Sequence, residues 1–213
     1  MKIKKFTFNP FQENTYVLYD QSKDCLIIDP GCETKTEENE LSDFIEQQAL
    51  KPTRLINTHC HIDHILGNAF VANKYDLALE AHQLEIPILE GSPKWGEQYG
   101  IHCAPSPKIT KFLAEGDLIN CGDFKLDVLF VPGHSPGHVA LVNRQTKVVI
   151  NGDVLFQQSY GRVDLPGGNI NDLADSIINK LFKLPDDYVV YAGHMGETSI
   201  GIEKQVNPIL HHV

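Results

Sequence analysis

Cysteine is sparse and scattered. Cys25, Cys32, Cys60, Cys103 and Cys121 make an odd total of 5 with no CxxC pair, which argues against a disulfide framework or a cysteine-rich zinc knuckle. No block of lysine and arginine occurs, and 18 basic residues face 28 acidic ones for a net charge of -10. A surface that tracks nucleic-acid phosphates is therefore not expected. No stretch approaches the roughly 20 apolar residues of a membrane span. The basic start "MKIKKFTFNPFQENTY" runs into Thr, Asn, Pro and Gln, where an export signal needs an unbroken apolar segment. These absences predict a cytoplasmic protein with reduced, structural thiols and with neither nucleic acid nor membrane as partner.

What is present is ordinary globular composition, 42% apolar and 22% charged over 213 residues, enough to bury a core. No linker or low-complexity tract divides the chain, so residues 1–213 are read as a single domain. The runs "NTYVLYD" and "CLIIDPG" around polar "QSKD" predict an antiparallel hairpin opening the fold. Residues 38–50 place Leu41, Phe44, Ile45 and Ala49 at helical spacing. A second helix is expected over 65–75, behind the strand "RLINT", and a third over about 171–183 with Leu173, Ile177 and Leu181 on one face. "FKLDVLFVPG", "VALVNRQTKVVINGD" and "YVVYAG" read as strands. Residues 91–108, "GSPKWGEQYGIHCAPSPK", carry no period and read as a long surface loop. Strands interleaved with amphipathic helices indicate an α/β fold of sheet layers covered by helices.

Residues 56–68, "INTHCHIDHILGN", crowd three histidines and an aspartate into one bend. Polar groups buried without partners are costly, so such a cluster calls for a bound group. Four apolar runs each end in a small residue or two and then a candidate ligand: "RLINTHCHIDH", "DVLFVPGHSPGH", "KVVINGD" and "YVVYAGH". In layered α/β folds the loops at strand ends converge, which would assemble His59, His61, Asp63, His64, His134, Asp153 and His194. His59 and His61, two apart in an extended segment, point the same way. Asp63 and His64 lie where the chain turns into a helix and so face a different direction. A catalytic zinc takes about three protein ligands, so seven suggest two ions, with Asp153, arriving alone from its own strand, as the bridge. Two divalent cations outweigh the charge of Asp63 and Asp153 and should acidify a shared water to a pKa of about 7. A purely structural zinc site would instead favour thiolates and stop at about four ligands.

Around these, His138 is assigned to hydrogen bonding or packing behind the ligands, and Cys60 to buried filler facing away from them. Asp29 in "IIDPG" forms a turn that also supports the site. His82 and His102 read as surface or packing histidines, and His211 and His212 as frayed.

"THCHIDH", "GHSPGH", "NGD" and "AGH" resemble the HxHxDH signature and the distant His, Asp and His of the metallo-β-lactamase superfamily, over nearly the whole chain. "GRVDLPGG" at 161–168 and "TSIGIEKQVNP" at 198–208 are similar to the short glyoxalase II-like (hydroxyacylglutathione hydrolase-like) hydrolases. The resemblance implies a four-layer αββα sandwich, with His59, His61 and His134 on one metal, Asp63, His64 and His194 on the other, and Asp153 between them. "GHMGET" stands where the family more usually has GHGPxT, so Met195 and Gly196 shape the pocket differently. Glyoxalase II carries a further helical domain that supplies glutathione contacts, and nothing after His194 is its counterpart. His61, where flavodiiron proteins carry Glu, argues against that redox branch. Asp153, where one major β-lactamase class uses Cys, and the missing export signal argue against an antibiotic-resistance enzyme.

The expected activity is hydrolysis of a small-molecule thioester or ester at a binuclear zinc site. A metal-bound hydroxide attacks, one zinc polarises the carbonyl oxygen, and Asp63 is the catalytic residue that orients the nucleophile while holding its metal. Tyr160 and Arg162 are the candidate substrate contacts. Iron or manganese would also suit these ligands. Two other readings stand. One is a mononuclear iron dioxygenase acting on persulfides, which family relatives build on the same scaffold, here on His59, His134 and Asp153. The other is a non-catalytic metal-binding module with a closed coordination shell.

Overall fold

The computed structural model describes residues 1–101 and 103–212; His102 lies outside the described residues. Two six-stranded sheets stack face to face. The first has the order β1(Lys2–Phe8), β2(Glu13–Tyr19), β3(Asp24–Ile28), β4(Lys51–Ile56), β5(Leu79–Ala81) and β6(Ile109–Phe112). Its first three strands pair antiparallel and the rest parallel. The second comprises β7(Leu118–Cys121), β8(Phe124–Phe130), β9(Val139–Asn143), β10(Val148–Gly152), β13(Val189–Ala192) and β14(Thr198–Ser199), in the order β14-β13-β10-β9-β8-β7. A two-stranded ribbon, β11(Leu155–Phe156) and β12(Ser159–Tyr160), stands apart. Helices α1(Lys35–Gln47), α2(Asn68–Tyr75) and α3(Ile86–Tyr99) pack with the first sheet, α4(Ile170–Asp175) and α5(Ile200–Val206) with the second.

The period-2 alternation of side chains along a strand explains the layering. In β2 and β3, Val17, Cys25 and Ile27 join Leu41 and Ile45 of α1. Their neighbours Tyr16, Leu18, Leu26 and Ile28 turn the other way, into the seam shared with Leu126, Leu141 and Ile150 of the second sheet. In β9 and β10, Ala140, Val142 and Val149 face Leu173, Ile177 and Leu181. Both sheets are covered on both sides, hence the near-continuous apolar strands. This is the expected four-layer αββα sandwich.

The hairpin β2–β3 is present, but β1 precedes it and pairs with β2 throughout. Helix α1 runs three residues earlier than expected at each end. It opens on a capping box, with Thr34 Oγ1 accepting from Glu37 N while the Glu37 side chain accepts from Thr34 N. It closes with Ala49 at φ 50 and Leu50 N donating to Ile45 O, so Ala49 is outside the helix and exposed. The loop expected over 91–108 is a helix up to Tyr99. Pro93 has no N–H for the carbonyl four residues back, and Ser92 Oγ donates to that Leu89 carbonyl at 2.7 Å instead. The third helix is continuous with a π-helical turn, Ser176–Lys180, and a 3-10 turn, Leu181–Lys183. No helix among the described residues is long and apolar enough to cross a membrane.

Candidate metal centre

Parallel pairing brings the loops together. β10 and β13 lie side by side in parallel, so Asp153 and His194, which follow them, emerge at the same edge. β3 and β4 do the same for Asp29 and the segment 57–64. Asn14 N donates to Gly193 O at 2.7 Å and Gly193 N to Gly152 O at 2.8 Å, tying the two sheets across the site.

All seven histidines and aspartates singled out as ligands meet there. One nitrogen each of His59, His61 and His134 lie within 4.8 Å of one another, as do one ligand atom each of Asp63, His64 and His194. Asp153 reaches both groups: Oδ2 is 3.6 Å from His134 Nε2 and 3.3 Å from His194 Nε2, and Oδ1 is 3.5 Å from His64 Nε2. Asp63 Oδ2 is 3.1 Å from His194 Nε2.

Four of the five imidazoles have a group behind them, while His61 Nδ1 instead faces His134 Nε2 at 2.8 Å. Thr58 Oγ1 donates to Asp29 Oδ2 at 2.6 Å and faces His59 Nδ1 at 3.2 Å, so it accepts that ring's N–H and leaves Nε2 pointing inward. His134 Nδ1 donates to Arg162 O at 2.7 Å, and His194 Nδ1 to Phe11 O at 3.1 Å. His64 Nδ1 stands 3.3 Å from Asp29 Oδ2 and 3.8 Å from Glu13 Oε1. Such backing fixes tautomer and orientation in metal-binding histidines.

What the donors lack is a partner in front. His59 Nε2, His61 Nε2, His64 Nε2 and Asp153 Oδ1 are buried with no hydrogen bond, a costly state that cations would relieve. At His59 and His61 the electrostatics agree. Burial pushes His59 down, reinforced by His64, His138 and His61, and burial together with His134 pushes His61 down to about 3; these rings are neutral and present lone pairs. At His64 and His194 burial is outweighed by Asp153 and Asp63, which hold His64 up and carry His194 to about 10. Burial would raise the Asp153 carboxyl, but His64 and His194 hold it well below the usual range.

A third grouping, Asp29 with His59 and His64, is a support. Both Asp29 oxygens are taken by Thr58, Oδ1 by its N–H at 2.7 Å and Oδ2 by its hydroxyl. Asp29 is also in the left-handed region at φ 49, so the turn and support roles coincide. His138 Nε2 accepts from Asp153 N at 3.1 Å and its ring stacks on His59 at 4.6 Å, so it braces and does not point into the site. Cys60 is buried. His82 caps the turn before α3 and stacks on Phe130. His212 is not frayed: it ends a 3-10 turn, Pro208–His212, and its Nε2 lies 2.9 Å from Tyr160 Oη. Tyr160 and Arg162 both line the cavity of about 400 Å³ above the cluster, and Arg162 forks onto Asp164 with two 2.6 Å bonds.

Two carboxylates are absent from the sequence reading. Glu85 is fully buried and accepts from Cys60 N at 2.7 Å, Ser135 Oγ at 2.6 Å and Gly137 N at 2.7 Å. It thereby clamps the loop of His59 and His61 to the loop of His134. Glu13, buried beside His64, accepts from Thr15 Oγ1 at 2.9 Å. Neither carries a motif; a charged residue inside an apolar stretch such as "AHQLEIP" was the available signal.

The family model described as "Metallo-beta-lactamase superfamily" matches residues 8–194. The chain is 39% identical to the probable metallo-hydrolase YqgX of Bacillus subtilis, over 99% of this chain and 98% of that protein. It is 34% identical to the hydroxyacylglutathione hydrolase GloC of Haemophilus influenzae, over 99% and 98%. Among solved structures, BLEG-1 B3 metallo-beta-lactamase superposes with a TM-score of 0.87 at 34% identity, covering 98% of this chain and 99% of that one. TTHA1623 in a di-iron-bound form gives 0.87 at 34%, covering 96% and 98%.

Proposed function

The chain belongs to the metallo-β-lactamase superfamily, and from that membership we propose that residues 1–213 form one domain whose binuclear zinc site hydrolyses a small-molecule thioester or ester, in the manner of glyoxalase II. The observation that carries this reading is the position of Asp153. Its two oxygens lie within 3.6 Å of imidazoles from both ligand groups, the place of a bridge between two ions. His59, His61 and His134 would hold one ion, and Asp63, His64 and His194 the other.

When bound, such a pair supplies an acidified water and a Lewis acid for the carbonyl oxygen. The chain's own groups do the rest. Asp63, engaged with His194 through Oδ2, would help hold its ion and orient the attacking water. The Asp29–Thr58–His59 relay and the Glu85 clamp keep the rings from turning as charge develops. Water adds its oxygen to the acyl carbon, and the departing sulfur leaves as thiolate. Thiols have a pKa of about 8.5, so no strong general acid is needed.

The di-iron form of TTHA1623 supports iron as the competing metal. Metal content measured together with a panel of a thioester, an ester and a β-lactam tests the reading. Two ions per chain with thioester or ester turnover is the expected result. One iron with oxygen consumption would favour persulfide oxidation, β-lactam turnover alone would favour a lactamase, and one ion without turnover would favour a binding module.

A further inference from the structure

The cavity has two unlike sides. Its floor is the ligand cluster, while one wall is built from Phe11, Ile62, Ile88, Trp95 and Tyr99. Apart from Ile62, that wall belongs to α3 and to the turn joining β1 and β2. α3 is seated directly on the ligand-bearing turn Ile62–His64: a Cβ added at Gly96 would stand 3.3 Å from Ile62 Cδ1 and 2.7 Å from Ile101 O. The Phe11 ring meets Tyr99 edge-on at 5.7 Å, and the Phe11 carbonyl is the one that accepts from His194. The apolar wall is therefore fastened to the same groups that close the cluster. Its faces are open, with Tyr99 51% exposed and Trp95 half-buried. Among the described residues lining the cavity, Arg162 is the one permanent cation, and its guanidinium is already forked onto Asp164.

An apolar wall next to the reacting carbonyl gains only by covering apolar substrate surface. A short polar acyl group would leave it in water. We propose that Phe11, Ile88, Trp95 and Tyr99 form an acyl-group subsite for an apolar substituent of aromatic size, so that the preferred substrates are thioesters or esters of apolar acids. This rests on the hydrolase reading above. Water supplies the hydroxyl to the acyl carbon and the proton to the leaving thiol or alcohol, giving an apolar carboxylic acid.

The test uses the zinc-loaded chain and three thioesters of one neutral thiol, N-acetylcysteamine, carrying acetyl, lactoyl and phenylacetyl groups. The phenylacetyl ester is expected to exceed the other two in kcat/KM by roughly tenfold or more, the discrimination a hydrophobic pocket achieves. Tyr99→Ala and Ile88→Ala should each narrow that ratio. Trp95 is the only tryptophan in the chain, so its fluorescence reports occupancy without turnover; phenylacetate should give a saturable change that acetate does not. Equal kcat/KM for the three esters, or a preference for lactoyl, overturns the subsite and leaves the hydrolase reading standing. A saturable response to phenylacetate with no thioester hydrolysed supports the subsite and overturns the hydrolase reading.

Discussion

Gly193 has no room for a side chain. A Cβ there would collide with Asp153 Oδ1 and lie 2.7 Å from His64 Cε1, so Gly193→Ala should push the Asp153 carboxylate aside while leaving the core untouched. Displacing support of this kind costs about 10–100-fold in metal affinity; the expected result is a loss of that size in competition with a chelating dye, with an unchanged circular dichroism spectrum. On the proposed assignment His59→Ala removes a ligand, and metal uptake and turnover are expected to be lost together; turnover at the wild-type rate would contradict that assignment. At this scale the sequence was most informative where ligands are clustered or follow a strand. "THCHIDH" carries four donors in seven residues, and the loops of His134, Asp153 and His194 share one grammar. Glu85 and Glu13 were illegible because their role is defined by the backbone amides and hydroxyls around them, and no spacing announces that.

Among the elements, the helix at Ile170 was legible because burial imposes a period, and β2, β3, β4, β8, β9, β10 and β13 because they are apolar runs, whereas the shorter strands β5, β6, β7 and β14 and the edge strand β1 were not. Leu173, Ile177 and Leu181 are all fully buried. α3 was not legible, since Gly91, Pro93 and Gly96 mimic loop composition. Gly96 is there for close packing on Ile62, and Ser92 replaces the hydrogen bond that Pro93 cannot make. The end of α1 was misplaced for a related reason: the residue in the left-handed position is Ala49 at φ 50, where glycine is the usual signal. An L-residue pays roughly 1–2 kcal/mol for that conformation, partly offset in exchange for glycine by the freer unfolded chain. Ala49→Gly is therefore expected to raise stability by about 0.5–1 kcal/mol, read as a higher urea midpoint at unchanged slope; a lower midpoint would contradict this account of the helix end.

For the whole molecule, the packed layers bury all five cysteines, and burial pushes their thiols up, Cys25 to about 12 and Cys121 to about 11. In the unfolded chain a thiol ionises near 8.5. Above about that pH the unfolded state releases protons that the folded state keeps, so the thiols' contribution to stability is constant below it and falls as pH rises toward the folded values. A urea midpoint that declines between pH 8.5 and 11, with a shallower decline in Cys25→Ala, is expected; a midpoint rising over that range would contradict it. The four-layer architecture followed from the resemblance of the motifs, whereas the wall of the cavity needed the structure, because it unites Phe11 with residues 88–99 far along the chain. The claim on which everything rests is that His59, His61 and His134 and, beside them, Asp63, His64 and His194 hold separate ions with Asp153 between. Anomalous diffraction at the zinc edge from crystals of the zinc-loaded protein tests it most directly. The account requires two peaks, one at each triad with Asp153 touching both; a single peak, or two with Asp153 beyond coordination range, would contradict it.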